Sequence, residues 1–266
     1  MKRIAIAILP LVLACGSAPP SAKRAQAHLD KGEFDEAEQV ANADLQRFPK
    51  HPTLWHVKIR AHLGRGDNQG AVSTYEEWLT HREGLTDKAA LRTMARGTLW
   101  QGLRVPSREI NIAAIQAVER LEIEKLAAGV IALMGSDEDA VAAAAAIAVL
   151  RSHPAAPKLA GDMLKSSDPR ARAIVIEGLG RKMKHHARGD ITRALTDKDA
   201  KVRRAAVGAL DRINDDEDTD ALIATARADA DGTVRARALR ALTKGKRRKV
   251  IDLAARALDD DFVGAK

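Results

Sequence analysis

The stretches Asp168-Pro-Arg-Ala-Arg172, Asp199-Ala-Lys-Val-Arg203 and Asp231-Gly-Thr-Val-Arg235 share the pattern Asp-x-x-Ala/Val-Arg, at spacings of 31 and 32 residues. Leucines that close the predicted helices recur at similar intervals, at positions 121, 150, 179, 210 and 242. Each period predicts an acidic turn, an apolar helix, a polar turn and a second apolar helix. Because one helix pair cannot bury its apolar face alone, neighbouring pairs must bury it for one another. The sequence therefore predicts an all-α superhelix of repeated helix pairs.

These units resemble HEAT repeats of the short kind seen in phycobilisome lyases, with about five units over residues 105–266. The resemblance implies a ladder of charge-assisted hydrogen bonds between units. Its members would be the repeated aspartates and arginines, Asp168, Arg172, Asp199, Arg203, Asp231 and Arg235. A row of three arginines that binds an anionic ligand is the alternative.

A longer period of 34 residues precedes these units, because Gly32-x-Phe34-x-x-Ala37 recurs as Gly66-x-Asn68-x-x-Ala71. This part, residues 22–104, resembles a pair of tetratricopeptide (TPR) units, and a helix over about 86–103 is predicted to cap it. The resemblance implies that the two glycines lie at turns between paired helices. It also implies a concave, peptide-binding groove lined by Gln26, His56 and Arg60; a solvated helix face is the alternative.

The N-terminus carries a targeting pattern. Lys2 and Arg3 precede eleven uncharged residues, which are too few to span a bilayer as a helix. The run Leu-Val-Leu-Ala-Cys at 11–15 resembles the lipobox of bacterial lipoproteins, which implies a signal peptide over 1–14, a lipid on Cys15 and a short tether over 15–21. An ordinary secretory peptide is the alternative.

Lipidation at Cys15 would anchor the protein to the membrane, since two or more acyl chains bind a bilayer stably. By the sorting rule of that family, Gly16 favours the outer membrane, facing the periplasm, over the inner membrane. We therefore expect a lipid-anchored protein of the cell envelope.

Composition excludes several classes of site. The 266 residues carry a net charge of +8, only 3% aromatic residues and one cysteine. A disulfide framework and multi-thiolate metal sites are therefore impossible, and aromatic walls for a cofactor are scarce. Motifs for nucleophilic catalysis, phosphate binding and zinc proteolysis do not occur in the sequence. We predict no catalytic residues, no metal site and no cofactor.

Two predicted turns are basic, with Arg181, Lys182 and Lys184 in one and Lys246, Arg247, Arg248 and Lys249 in the other. An acidic turn over 215–220 lies between them, and this interruption argues against a nucleic-acid partner. Contact with anionic lipid or an envelope polymer is one hypothesis, and plain solvated turns are the alternative.

The resemblances imply a non-enzymatic scaffold that binds an unidentified protein partner, although fold alone is a weak indication of function. An assembly or pilot lipoprotein for a secretion, pilus or outer-membrane complex is the second hypothesis. An enzyme related to bilin lyases is the third, and it is disfavoured because lipidation would consume Cys15, the sole thiol.

Overall fold

The computed structural model describes residues 20–244, and all regular elements in that range are helical. Fourteen α-helices follow one another there, joined by turns and short 3-10 segments, which confirms the predicted all-α helical-repeat fold. In this part of the chain, none of the helices is both long and apolar enough to cross a membrane. The contacts divide the chain into two compact units, of which the first ends at Gln101 and the second begins at Gly102.

Among its described residues, the first unit contains five helices, of which the first four pack mainly on their sequence neighbours. They are α1 (Pro20–Lys31), α2 (Phe34–Leu45), α3 (Pro52–Gly64), α4 (Asn68–His81) and α5 (Lys88–Gly102). Because α1 begins at Pro20, the last two residues of the predicted tether, 15–21, are helical. Proline is favoured at the first position of a helix, where its missing N–H has no intrahelical partner to lose.

The 34-residue period is visible in the backbone of the first unit. Gly32 and Gly66 both have φ +79° and follow α1 and α3, which confirms that they lie at turns between paired helices. This left-handed conformation strains residues that carry a Cβ, so the turn favours glycine. The equivalent alanines, Ala37 and Ala71, are fully buried, and their small side chains let the helix pairs approach closely.

The second unit contains a row of five longer helices, each packed on the next: α6 (Arg108–Arg120), α8 (Asp139–Ala148), α10 (Pro169–Lys182), α12 (Ala200–Ile213) and α14 (Gly232–Lys244). Shorter helices alternate with them in sequence: α7 (Ala127–Ala132), α9 (Ala156–Met163), α11 (Arg188–Arg193) and α13 (Thr219–Ala228). Long and short helices therefore alternate through the second unit.

Small residues set the spacing in this row. All eight residues from Ala140 to Ile147 in α8 are buried. A Cβ added to Gly180 of α10 would lie 2.5 Å from the Cβ and 2.9 Å from the Cα of Ala209 in α12. Helices can approach so closely only where glycine and alanine lie between them, and larger aromatic side chains would not fit there. Leu121, one of the leucines predicted to close a helix, lies just beyond α6 and is 60% exposed.

Candidate functional site

The aspartates of the repeated pattern begin helices. The carboxylates of Asp168, Asp199 and Asp231 accept hydrogen bonds from the backbone N–H two residues ahead, at 2.8, 2.7 and 2.8 Å. An aspartate in this position stabilises a helix N-terminus, where backbone donors lack intrahelical partners. The prediction that these three aspartates form ion pairs with the ladder arginines is therefore wrong.

The structure contains the predicted ladder, but its arginines pair with carboxylates other than the predicted ones. Arg172 donates from Nε and Nη2 to Asp197 at 2.8 and 2.7 Å. Arg203 makes the same bidentate pair with Asp229, with both distances 2.8 Å. In each case the arginine of one unit binds the aspartate of the following unit, and we call each such pair a rung.

Each ladder arginine also binds the turn before its own helix. Nη1 of Arg172 donates to the carbonyl oxygen of Ser166 at 2.8 Å, and Nη1 of Arg203 donates to that of Asp197 at 2.9 Å. Arg235 makes the equivalent bond to the carbonyl oxygen of Asp229, also at 2.9 Å. The guanidinium groups of Arg172 and Arg203 are thus directed at protein acceptors, which favours the structural interpretation of the arginine row.

The rungs are largely shielded from water. The side chain of Arg172 is 7% exposed and that of Asp229 is 4% exposed. Burial raises the pKa of Asp197 and Asp229, but the arginine hydrogen bonds and a backbone N–H outweigh it and hold both pKa values below the usual range. Both carboxylates therefore stay ionised and paired at neutral pH.

Both members of a rung are missing between the unit of α8 and the unit of α10. Ala142 stands where the ladder arginine would be, four residues after the start of the pattern, and Ser166 stands where the following aspartate would be. Ser166 still accepts the backbone N–H of Asp168 at 2.9 Å, as Asp197 accepts that of Asp199 at 2.8 Å. The sequence signal that marks a rung is the doublet Asp-x-Asp, of which the first aspartate forms the rung and the second caps the helix.

The predicted groove residues of the first unit make internal contacts. Arg60 of α3 donates to Gln26 of α1 at 2.7 Å. His56 contacts Asp87 instead, with 2.9 Å between Nε2 and Oδ2. The structure therefore brings Gln26 and Arg60 together and directs His56 to a buried carboxylate that the sequence analysis did not consider.

Asp87 is the polar centre of this unit. Its carboxylate accepts Nε1–H of Trp78 at 2.9 Å and the backbone N–H groups of Ala89 and Ala90 at 3.0 Å each. Burial raises the pKa of Asp87, but the hydrogen bonds from Trp78, Ala90 and His56 prevail and hold that pKa well below its usual range. The ionised carboxylate caps α5 and fixes it to α3 and α4.

The prediction of the first basic turn is wrong in part, because Arg181 and Lys182 are the last residues of α10, and their charges are partly neutralised. Arg181 and Lys182 form ion pairs with Glu119 at 3.1 and 3.0 Å, and Lys182 also donates to the carbonyl oxygen of Ala148 at 2.7 Å. Lys184 is exposed and has φ +49°. The second basic turn, Lys246 to Lys249, lies outside the described residues, as does Cys15. Contact with an anionic surface stays a prediction.

A different basic surface lies on the row of long helices. Residues of α10, α12 and α14 line an open groove of about 810 Å³, which we call the basic groove. It contains five cations, Arg170, Lys201, Arg204, Arg237 and Arg240, and two carboxylates, Glu177 and Asp211. Ala173, Ile174 and Ala236 lie between them. This surface follows no sequence repeat, because its residues belong to three separate helices.

Four of these cations differ from the paired arginines elsewhere in the unit. Arg170 forms an ion pair with Glu109 at 2.9 Å. Within residues 20–244, Lys201, Arg204, Arg237 and Arg240 form no ion pair at all, and we call them the four groove cations. Gly208 leaves room for one of them, since a Cβ there would overlap the guanidinium of Arg237. Among the described residues that line it, the basic groove therefore carries more positive than negative charge.

Comparison with known proteins agrees with this architecture. A family model described as HEAT repeats matches residues 156–243, from the start of α9 into α14, and no curated protein matches the chain. The matched span includes both rungs and the basic groove. Together with the observed helices, this match defines the class as an all-α helical-repeat protein. Among the described residues, there is no cluster of three or more His, Cys, Asp or Glu that could hold a metal ion.

Proposed function

We propose that this protein is a non-enzymatic scaffold that is anchored to a membrane of the bacterial cell envelope and binds a protein partner. The observation that carries the proposal is the helical-repeat stack with an open groove, of whose five cations only Arg170 forms an ion pair among the described residues. HEAT repeats generally mediate contacts between proteins, and folds of this kind are typically scaffolds. Stacked repeats suit this task because they present extended concave surfaces.

The anchor is proposed from sequence alone. The lipobox-like run and the sole cysteine, Cys15, support a signal peptide over 1–14 and an acylated N-terminus in the outer membrane, facing the periplasm. The 34-residue period and its two glycine turns support a TPR-like pair over 22–104. A lipid anchor would hold both units near the membrane, where the basic turns could contact anionic headgroups or an envelope polymer.

Fractionation of cells tests the anchor. Cys15→Ser is expected to move the protein from the membrane to the soluble envelope fraction, whereas the control Ser17→Ala, which keeps the cysteine, is expected to stay in the membrane. If Cys15→Ser and the control partition identically, the anchor assignment is wrong.

Affinity capture of the full chain from detergent-solubilised membranes tests partner binding. A scaffold is expected to retain one protein at a reproducible ratio, and that protein should keep its location in cells that lack the scaffold. Mislocalisation of the captured protein in such cells would favour an assembly or pilot lipoprotein instead. Recovery of no protein above the level of an unrelated lipoprotein would contradict the proposal.

A further inference from the structure

We infer that the basic groove binds an acidic, extended segment of the partner protein; this inference rests on the proposed scaffold function. The four groove cations lie on two neighbouring helices, α12 and α14, and Arg170 of α10 extends the row. Arginine side chains bind carboxylates through paired N–H donors, which gives both affinity and orientation. Side chains of aspartate or glutamate are therefore the natural ligands of this surface.

Their unused donors distinguish the four groove cations from the paired basic residues of the second unit, and their common position in one groove distinguishes them from scattered cations such as Lys165 and Lys198. Arg172, Arg203, Arg181 and Lys182 already form ion pairs with carboxylates of the same chain. The four groove cations have no such partner in the part of the chain that the structure describes. Like charges held together in a concave surface create a field that attracts acidic ligands and speeds their association.

The remaining lining favours a polypeptide over a lipid or nucleic acid. Ala173, Ile174 and Ala236 also line the groove and offer small apolar contacts to the backbone of a bound chain and to the methylene groups of its glutamate side chains. Glu177 and Asp211 would repel some of the closely spaced phosphates of a nucleic acid, whereas a peptide can place its fewer carboxylates away from them. The second unit has no Phe, Tyr or Trp between residues 102 and 244 on which bases could stack. A concave groove also fits a flat bilayer surface poorly.

The groove sets the length of the segment. It crosses three packed helices, α10, α12 and α14, and neighbouring helix axes lie about 8–10 Å apart, so it spans about 20 Å. An extended chain covers about 3.3–3.6 Å per residue, so about six residues fill that distance. Acidic side chains at alternate positions would all point to one face of such a segment.

Binding of a short synthetic peptide to the full chain in detergent tests the inference. The probe is fluorescein-labelled (Ala-Glu)5, followed by fluorescence anisotropy, with (Ala-Gln)5 as the uncharged control. The triple variant Arg204→Gln, Arg237→Gln, Arg240→Gln is expected to bind (Ala-Glu)5 about tenfold more weakly at low salt, because three exposed ion pairs are lost. The matched control Lys165→Gln, Lys198→Gln, Arg227→Gln removes the same charge outside the groove and is expected to change binding less than about twofold.

A charge-reversed variant guards against loss of folding. Arg204→Glu, Arg237→Glu, Arg240→Glu is expected to lose (Ala-Glu)5 and to gain binding of (Ala-Lys)5, which an unfolded groove could not produce selectively. Equal weakening in the two Gln variants would mean that only net charge matters and would overturn the inference. Loss of binding to phosphatidylglycerol vesicles in the groove variant, with peptide binding intact, would overturn it in favour of a lipid.

The inference and the proposed function fail in different ways. If affinity capture recovers no partner with any variant, the scaffold proposal is wrong. If the captured partner is retained equally by the groove variant and by the matched control, the scaffold proposal stands and the groove assignment is wrong. Loss of the partner in the groove variant alone supports both.

Discussion

The two units of this protein hold their helices together with different polar contacts. The core of the first unit contains aromatic side chains, and the rings of Trp55 and Trp78 stack with 5.7 Å between their centroids. Among the described residues of this unit, Asp87 is the one buried carboxylate. The second unit has a core of alanine, valine and leucine, and its polar contacts recur as the rungs Arg172–Asp197 and Arg203–Asp229. The first unit thus has one buried carboxylate among its described residues, beside exposed contacts such as Arg65–Asp35, whereas the second unit repeats its shielded ion pairs from one repeat to the next.

The two units therefore differ in how many helices one substitution disturbs. Removal of Asp87 disturbs three helices at once, because α3, α4 and α5 all meet at its carboxylate. Removal of one rung disturbs only one seam between neighbouring units. The two effects can be measured separately, since Trp55, Trp78 and Trp100 all lie in the first unit and circular dichroism reports both units.

The largest effect is expected for Asp87→Ala. The variant loses a helix cap and leaves the buried indole N–H of Trp78 without its acceptor, so the free energy of unfolding of the first unit should fall by about 3–4 kcal/mol. Urea unfolding followed by tryptophan fluorescence measures this loss. A midpoint within error of the wild type would contradict the central role of Asp87.

The isosteric variant Asp87→Asn keeps the shape of the side chain and removes its charge, so it separates the two contributions to stability. The pKa of Asp87 is lowered by folding, so its contribution is complete above about pH 4, the pKa range of an unfolded aspartate, and is lost as the pH falls through the lower folded value. Asp87→Asn should therefore reduce the acid sensitivity of the fluorescence transition.

A smaller effect is expected for Arg203→Ala. The variant leaves the buried carboxylate of Asp229 without its bidentate partner, which should cost about 2–3 kcal/mol in the second unit. The transition measured by circular dichroism should shift while the tryptophan transition stays in place. Arg203→Lys should recover only part of the loss, because lysine cannot donate two parallel hydrogen bonds.

The matched control for this rung is Arg227→Ala, which removes an exposed arginine of α13 and should change stability by less than about 0.5 kcal/mol. Equal shifts of both optical transitions in Arg203→Ala would show that the two units unfold together, and the comparison between them would have to be abandoned.

The next prediction concerns the close approach of α10 and α12 in the second unit. Gly180→Ala forces a methyl group against the backbone of Ala209 and should cost about 1–2 kcal/mol. Gly208→Ala meets only the end of the flexible Arg237 side chain, and alanine favours the helix, so the net change should be under about 0.5 kcal/mol. Thermal melts compare the pair, and equal destabilisation would refute the close approach at Gly180.

The smallest effect is expected for Arg60→Ala in the first unit. Its side chain is 42% exposed and its bond to Gln26 lies at the surface, so stability should fall by less than about 0.5 kcal/mol. The variant is therefore a clean probe of the predicted peptide groove. Reduced partner capture with an unchanged melt would support that groove, and unchanged capture would remove Arg60 from it.

The sequence predicted the helices well because their signals are local. Periodic alanine, valine and leucine with an aspartate before each helix predicts α10, α12 and α14 without knowledge of their neighbours. The two positive-φ turns at Gly32 and Gly66 were likewise predictable from a glycine repeated at a fixed interval.

The partners of the ladder were not predictable in the same way. Asp197 and Asp199 are two residues apart and chemically identical, and only the path of the turn decides which one caps the helix and which one reaches Arg172. The basic groove escaped prediction for a related reason, because Arg204 and Arg240 meet only when successive helices stack. Contacts across repeats depend on the rise and twist of the stack, which no single repeat encodes.

The geometry of the rungs bears on how such a chain can lengthen by gene duplication. Each rung joins an arginine to an aspartate of the next repeat, 25 or 26 residues later. A block that runs from one ladder arginine to the residue before the next, such as 172–202, contains one ladder arginine and the rung aspartate that pairs with it. Inserted in place, such a block brings its own complete rung and leaves the neighbouring rungs unchanged. A whole-repeat duplication thus leaves no buried charge unpaired, whereas an insertion of partial length would separate an arginine from its carboxylate.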